Sequence, residues 1–289
     1  MKFKKFMALT LSTIMAMMAL TACGSKSSDN SADKKTAKVI EIELTDEKYA
    51  FGVDKTQPEL LEQVNTFIAD MKADGSFDEI CNHYFGDGTP VAVKSSAYDE
   101  SKDQLVVATN AAFEPFEYTK GEDYYGIDME IAQALAKKLN KELVIQNMDF
   151  DAVCLSVGQQ KCDIAMAGLT IKPDREEYVN FSDSYYSASQ KIIVPSSNTE
   201  FDACKTAADV EAILKEKGSD VKVGVQTGTT GQFYCEGDAD WGFEGFKMET
   251  VGYKNGSLAV QDLLNGNINY VVIDSAPAAS ITAAINAMQ

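Results

Sequence analysis

From Leu105 onward the chain alternates short apolar strands with amphipathic helices, and this order restricts the fold to the α/β class. The first run comprises strands 105–109, 142–148 and 163–167 with helices 128–139 and 150–158. A second run follows strand 191–194 and comprises helix 206–216, strands 221–225 and 247–252, helix 257–264, strand 269–273 and a C-terminal helix. The pattern therefore predicts two α/β lobes with a boundary near residue 192.

The part of the chain before Leu105 also has a regular pattern. It predicts strands 38–44 and 49–53, a helix from Thr56 to Gly75, a shorter helix from Ser76 to Gly86, and a polar linker at 87–102. Thr56 and Glu59 have the spacing of a capping box, and so do Ser76 and Glu79. An apolar stripe on the longer helix predicts burial of one face (Leu60, Leu61, Val64, Phe67, Ile68 and Met71).

Polar loops follow several of the predicted strands. Loops 110–116 and 168–175 follow strands of the first run, and 226–231 is a Gly/Thr loop after a strand of the second run. Ligands of open α/β sheets bind outside the carboxyl ends of strands, so we expect loops 110–116 and 168–175 to face the same crevice. The Gly/Thr loop favours an anion, although a plain turn is an open alternative. Asp274 ends an apolar strand and is either a site residue or a helix cap.

Arg175 is the only arginine in a chain whose other basic residues are lysines. Guanidinium offers a planar pair of N–H donors that fits a carboxylate or phosphate, whereas lysine serves equally well as a surface charge. Arg175 is therefore a candidate anion-binding residue. A surface ion pair with Glu176 or Glu177 is the alternative.

The first residues have the pattern of an export signal. Lys2, Lys4 and Lys5 precede an apolar stretch too short to read as a membrane span, and Leu20 to Cys23 resembles a lipobox. We expect residues 1–22 to be a lipoprotein signal peptide and Cys23 to carry acyl chains such as palmitate. Residues 23–37 would then form a flexible tether from the outer face of the cell membrane. Ordinary signal cleavage is the alternative.

Composition excludes several function classes. A formal charge of -18 argues against nucleic-acid binding. His83 is the only histidine and no CxxC occurs, which argues against zinc sites and His-dependent nucleophiles. The five cysteines beyond Cys23 fall in apolar patterns, which favours buried free thiols over disulfides (Cys81, Cys154, Cys162, Cys204 and Cys235).

Six stretches between residues 105 and 289 carry specific motifs. They read VVATNAAFEPFEY (106–118), YGIDMEIAQALAKKL (125–139), MDFDAV (148–153), DIAMAGLTIKPDREEYVNFSDSYY (163–186), VGVQTGTTG (223–231) and YVVIDSAPA (270–278). Together they resemble the amino-acid-binding proteins that feed ABC importers, extracellular solute-binding protein family 3. The resemblance implies a two-lobe periplasmic-binding-protein type II fold that encloses a free amino acid, with an ABC permease as partner and no cofactor, metal or catalysis.

The segment at 48–86 resembles the C-terminal segment of the same family, yet it precedes the part that it should follow. We interpret the chain as a monomeric circular permutant, with domain swapping as the alternative. The predicted ranges are signal peptide 1–22, tether 23–37, hinge strand plus first lobe 38–191 and second lobe 192–289. Within the first lobe, 48–86 is the family C-terminal segment, 87–102 the permutation linker and 103–191 the family N-terminal segment. Strand 38–44 is expected by the hinge or on the second lobe.

The family pattern implies a role for each site residue. Arg175 would bind the α-carboxylate with backbone N–H groups of Thr170 and Thr230, while Asp274, the Gly168 carbonyl and the Thr170 hydroxyl would receive the α-ammonium. Phe113 and Phe150 would flank the ligand side chain. Further candidates at the crevice are Asn110, Ala167, Gln226 and Thr229. Asn110 replaces a frequent acid of the family, which slightly favours a neutral polar ligand.

An enzyme of dehydratase or lyase type on the same fold is the alternative function. It would need an acid or base at the substrate, for which Glu114 and Glu117 are the candidates. A sensory domain is a third class, but we expect no spanning helix or signalling domain after Gln289. The sequence does not specify which amino acid is bound.

Overall fold

Two five-stranded sheets organise the computed structural model, which describes residues 35–289. The strands are β1 (Ala37–Ile40), β2 (Glu47–Tyr49), β3 (Gly52–Asp54), β4 (Gln104–Thr109), β5 (Ala112–Phe113), β6 (Glu117–Lys120), β7 (Asp123–Tyr125), β8 (Glu142–Asn147), β9 (Ile164–Ala165), β10 (Val179–Phe181), β11 (Tyr186–Ala188), β12 (Gln190–Pro195), β13 (Lys222–Gln226), β14 (Glu249–Tyr253) and β15 (Tyr270–Asp274). The helices are α1 (Pro58–Asp74), α2 (Ser76–Phe85), α3 (Ile127–Lys138), α4 (Phe150–Gly158), α5 (Ala207–Lys215), α6 (Thr230–Glu236), α7 (Gly256–Asn265) and α8 (Ser275–Ala287).

Each sheet belongs to one α/β lobe. The first has the strand order β10-β3-β9-β4-β8 and the second the order β1-β12-β15-β13-β14. Strands β4, β8 and β9 run parallel, as do β13, β14 and β15, so their carboxyl ends share an edge in each lobe. The predicted two-lobe α/β fold is confirmed.

Strand β1 forms an edge of the second sheet by antiparallel pairing with β12. The chain then passes through β2 to β3 in the first lobe, and it returns from β10 through β11 to β12. Strands β2 and β11 pair with each other, so the two crossings form a two-stranded hinge. The predicted single strand at 49–53 is therefore two short strands, one in the hinge and one in the first sheet.

Helix α1 buries the predicted apolar face, with Leu61 only partly buried (Leu60, Val64, Phe67, Ile68 and Met71). The capping box predicted for Thr56 and Glu59 is wrong. Gln57 is the N-cap, and Thr56 donates from its backbone N and hydroxyl to Asp54 at 2.8 and 3.0 Å. These two bonds hold Thr56 in a turn closed by the Asp54 carboxylate, one residue before the N-cap. Gly75, in the left-handed region at φ 83°, ends α1 and also precedes α2, which has no side-chain cap.

Residues 83–93 attach to the first lobe through polar contacts. The Glu130 carboxylate on α3 lies 2.8 Å from His83 Nδ1 and accepts from the Tyr84 hydroxyl at 2.6 Å and from Val91 N at 3.1 Å. Val93, in the predicted linker, forms an antiparallel bridge with Tyr124. The linker is therefore packed against the first lobe.

The predicted signal peptide, Cys23 and the tether up to residue 34 lie outside the described residues. Within residues 35–289, no helix is long and apolar enough to cross a membrane. The five cysteines of this range are free thiols, and burial raises the pKa of Cys154 and Cys235.

Candidate functional site

The predicted site residues from the two lobes meet at the carboxyl ends of the parallel strands. Asn110 follows β4, and its Oδ1 accepts a hydrogen bond from Gln226 Nε2, at the end of β13, at 3.1 Å. Asp274 ends β15, and its carboxylate accepts from the hydroxyl of Tyr49, on the hinge strand β2. Residues of both lobes therefore face one crevice.

Arg175 lies in a 3₁₀ turn after β9 and is 8% exposed. Its Nη1 donates to the Thr170 carbonyl at 2.7 Å, and its Nη2 reaches the second lobe to donate to the Gly228 carbonyl at 3.0 Å. Its guanidinium carbon is 5.2 Å from the centre of the Phe150 ring. The surface ion pair with Glu176 or Glu177 is thus wrong. Both hydrogen-bond partners are neutral carbonyls, so a carboxylate would supply the missing opposite charge.

A group of buried acceptors lies around the hinge strand β2. Glu47 is 2% exposed, accepts from the Thr170 hydroxyl at 2.6 Å and accepts from Gln190 Nε2 at 2.9 Å. Because Thr170 donates its proton to Glu47, the lone pairs of its hydroxyl remain for a further donor such as an ammonium group. Sequence reasoning missed Glu47, Tyr49 and Gln190 as site residues.

Burial changes the acidity of the carboxyl groups here. Desolvation, reinforced by the negative charge of Glu47, raises the pKa of Asp274 to about 7, against the opposing effects of Tyr49, Gln190 and Arg175. Desolvation likewise raises the pKa of Asp128 to about 7, although Gly168 N donates to it at 2.9 Å and the Tyr185 hydroxyl at 2.7 Å. A bound cation would favour the ionised form of these acids.

The raised pKa values predict that the unliganded protein becomes more stable as the pH falls from about 8 to about 5.5. In this range the folded state holds protons on Asp274 and Asp128 that the unfolded state releases, so acidification favours folding. Urea unfolding at the two pH values checks this. The variant Asp274→Asn should show a smaller rise of the urea midpoint on acidification than the wild type. A wild-type urea midpoint that falls on acidification would contradict the prediction.

The two predicted aromatic residues border the site. Phe113 is buried, and its ring would lie only 3.0 Å from a Cβ added to Gly168, whose φ is +54°. Gly168 is therefore required both by its backbone conformation and by the ring. Phe150 starts α4 beside Arg175, and the two line a cavity of about 240 Å³ together with residues of both lobes (Asp151, Tyr178, Gly228 and Phe233 among them).

The remaining candidates are also placed at the crevice. Thr229 precedes α6 and donates its hydroxyl to the Gln226 carbonyl at 2.8 Å, and Thr230 is the buried first residue of that helix. Ala167 is buried beside Gly168. Among residues 35–289, no cluster of three His, Cys, Asp or Glu side chains is arranged to hold a metal ion.

Charged contacts join the lobes around the site. Lys172, after β9, is buried, pairs with Asp238 of the second lobe at 2.9 Å and lies 3.8 Å from the centre of the Phe233 ring. Asp238 also accepts from the backbone N of Trp241 at 3.3 Å. Lys254 of the second lobe pairs with Asp149 of the first at 3.1 Å. The described lobes are therefore closed on each other.

The sequence of this chain is similar to those of known extracellular binding proteins. Residues 105–278 match the family model described as bacterial extracellular solute-binding proteins, family 3. The arginine-binding extracellular protein ArtP of Bacillus subtilis is 33% identical over 141 residues, which are 49% of this chain and 51% of ArtP. The chain thus spans about half the length of that curated relative.

The chain is also similar to solved structures of amino-acid-binding proteins. An ancestral arginine-binding protein bound to arginine superposes with a TM-score of 0.53 at 33% identity, covering 63% of this chain and 75% of that one. The ancestral amino acid-binding protein AncCDT-1, a precursor of cyclohexadienyl dehydratase, has a TM-score of 0.53 at 32% identity, covering 63% and 74%. These two structural relatives are binding proteins.

Proposed function

Because this chain belongs to the bacterial extracellular solute-binding proteins of family 3, we propose that it is the extracytoplasmic binding component of an ABC amino-acid importer. It closes around a free amino acid and presents it to the permease. The observation that carries this proposal is the pair of opposite buried charges, Arg175 and Asp274, contributed by the two lobes of one crevice. A free α-amino acid carries a carboxylate and an ammonium group that match them.

In this proposal Arg175 binds the α-carboxylate with the backbone N–H groups of Thr170 and Thr230. Asp274, the Thr170 hydroxyl and the Gly168 carbonyl receive the α-ammonium. Glu47 is an addition to the expected set, since it accepts from Thr170 and thereby orients that hydroxyl. Phe113 and Phe150 flank the ligand side chain.

The permuted order of segments is part of the proposal. It is supported by contacts between Ala37 and Asn286, in which Ala37 N donates to the Asn286 side chain at 2.9 Å and Asn286 Nδ2 donates to the Ala37 carbonyl at 2.8 Å. The start of β1 therefore follows the end of α8 in space, as it would in the usual family order. A monomer tethered through Cys23 would be joined to the membrane at the edge of the second lobe.

Thermal shift tests the proposed function, because a ligand that binds only the folded state raises the melting temperature. We expect at least one amino acid from a screen of the common ones to raise it, with one-to-one binding by calorimetry. Mass spectrometry of the released ligand should show it chemically unchanged. A converted product would instead support the dehydratase or lyase alternative, and the absence of any shift would refute the proposal.

A further inference from the structure

Lys172 is a buried cation that the proposed contacts with the amino acid do not use. It lies in the loop after β9, two residues after Thr170, and only 4% of its side chain is exposed. Its ammonium has two carboxylate partners at 2.9 Å, Asp174 in its own lobe and Asp238 in the second lobe. It also lies over the Phe233 ring of α6, 3.8 Å from the ring centre. Because lysine is almost never fully buried unless it is paired, these contacts explain how the ammonium is accommodated between the lobes.

The second lobe holds Asp238 in position by bonds of its own. The Oδ1 atom of this carboxylate accepts from the backbone N of Asp240 at 3.0 Å and from that of Trp241 at 3.3 Å. The backbone of Asp238 also forms an antiparallel bridge with Phe243, which closes the loop on itself. The Oδ2 atom remains for Lys172. The carboxylate is therefore already oriented when the lobes meet.

The charge of Asp238 fits this role. Burial opposes ionisation, but the bond and the charge of Lys172, together with the backbone N–H groups of the loop, hold the pKa of Asp238 below its usual range. On the other lobe, Asp174 is 49% exposed and belongs to the same loop as Lys172. When the lobes separate, Lys172 keeps Asp174 and loses Asp238 and the ring of Phe233. Opening therefore breaks one buried ion pair without leaving the lysine unpaired.

A second ion pair between the lobes differs in its burial. Lys254 and Asp149 lie 3.1 Å apart, but 74% and 61% of their side chains are exposed. Exposed pairs contribute little, because water screens the charges and the long side chains lose freedom. The buried pair of Lys172 and Asp238 is thus the ionic contact between the lobes on which closure should depend more strongly.

We infer that Lys172 and Asp238 determine how long the closed protein retains its amino acid, although neither belongs to the proposed ligand contacts. This inference rests on the proposed function and adds a determinant of ligand release to it. The two groups meet only when the lobes are closed, so they oppose opening and do not take part in the first encounter with the ligand. Their effect should therefore appear in the dissociation rate, as it does when one partner of a buried charge pair is removed from an interface.

Rates of ligand exchange test the inference on the purified protein. The probe is the amino acid that gives the largest thermal shift among the twenty common L-amino acids, labelled with ¹³C and observed by NMR exchange between its free and bound signals. Calorimetry supplies the affinity, from which the association rate follows. We expect Lys172→Met and Asp238→Asn each to raise the dissociation rate about 30-fold and to leave the association rate within about threefold. A merely structural defect would instead lower the melting temperature of the unliganded protein and the fraction of protein that binds.

The double variant and the exposed pair are the controls. If Lys172 and Asp238 act on each other, the double variant should dissociate within about threefold of the faster single variant, whereas independent effects would multiply to about 900-fold. Lys254→Met and Asp149→Asn should each change the dissociation rate by less than about threefold.

A dissociation rate that stays within about threefold of the wild type in Asp238→Asn, or effects that multiply in the double variant, would overturn the inference and leave the proposed function intact. If Lys172→Met does not fold, the comparison of Asp238→Asn with Asp149→Asn still decides the question. Failure of the wild-type protein to bind any amino acid would refute the proposed function itself.

Discussion

Replacing Arg175 by lysine should weaken amino-acid binding by about 100-fold or more, a loss of roughly 3 kcal/mol, and Arg175→Ala should lose at least as much. The guanidinium bonds simultaneously to the Thr170 carbonyl in one lobe and the Gly228 carbonyl in the other. An ammonium is a point charge without the planar fork, so it cannot keep both bonds and also bind a carboxylate in parallel. Calorimetry with the tightest ligand of the thermal-shift screen measures the loss.

The control for this prediction is Lys137→Ala, which removes an exposed basic residue from α3. It should bind like the wild type, since solvent screens a surface charge far from the crevice. Unchanged affinity in Arg175→Lys, with a wild-type melting temperature, would exclude Arg175 as the carboxylate-binding residue.

Deleting residues 47–86 should abolish cooperative folding of the first lobe and with it ligand binding. The deletion removes β2, β3, α1 and α2, and β3 lies inside the first sheet between β10 and β9. The five buried apolar side chains of α1 alone contribute on the order of 10 kcal/mol at about 2 kcal/mol each, which is comparable to the whole stability of a typical domain. Circular dichroism and urea unfolding measure the loss of cooperative folding. A deletion variant that still binds the amino acid would contradict the prediction.

The matched control for this deletion moves residues 35–86 to the end of the chain instead of removing residues from it. A chain that runs from residue 103 to 289 and then continues with 35–86 has the order that the proposed permutation assigns to the family. It should fold and bind like the original, because Ala37 and Asn286 are already in contact. Light scattering of both proteins should give a monomeric mass. A dimer of the original chain that becomes a monomer on relocation would instead support domain swapping.

Much of the architecture was predictable because it depends on local periodicity. Helix α3 was predicted at 128–139 and lies at Ile127–Lys138, and helix α4 begins and ends at the predicted residues. Arg175 was also recognisable, since the chain uses arginine only once. Its burial was not, because the two carbonyls that hold it come from different loops.

The missed residues depend on contacts between distant parts of the chain. Glu47 meets Thr170 across 123 positions and Gln190 across 143. A local stretch of sequence does not reveal contacts between residues that lie so far apart in the chain. The wrong capping box has the opposite cause, because Asp54 lies only two residues before Thr56 and holds its backbone N and hydroxyl in a turn that ends before the helix begins. A spacing rule identifies a possible partner but does not compare it with a nearer one.

The loop that pairs Asp238 with Lys172 also holds the single tryptophan of the chain. Trp241 stacks on Phe243 at a centroid distance of 5.5 Å, and its backbone N bonds to the Asp238 carboxylate. A ligand that changes the contact between Lys172 and Asp238 should therefore change the indole emission. The protein thus carries an intrinsic optical reporter at its crevice, and closure can be followed in solution without attaching a dye.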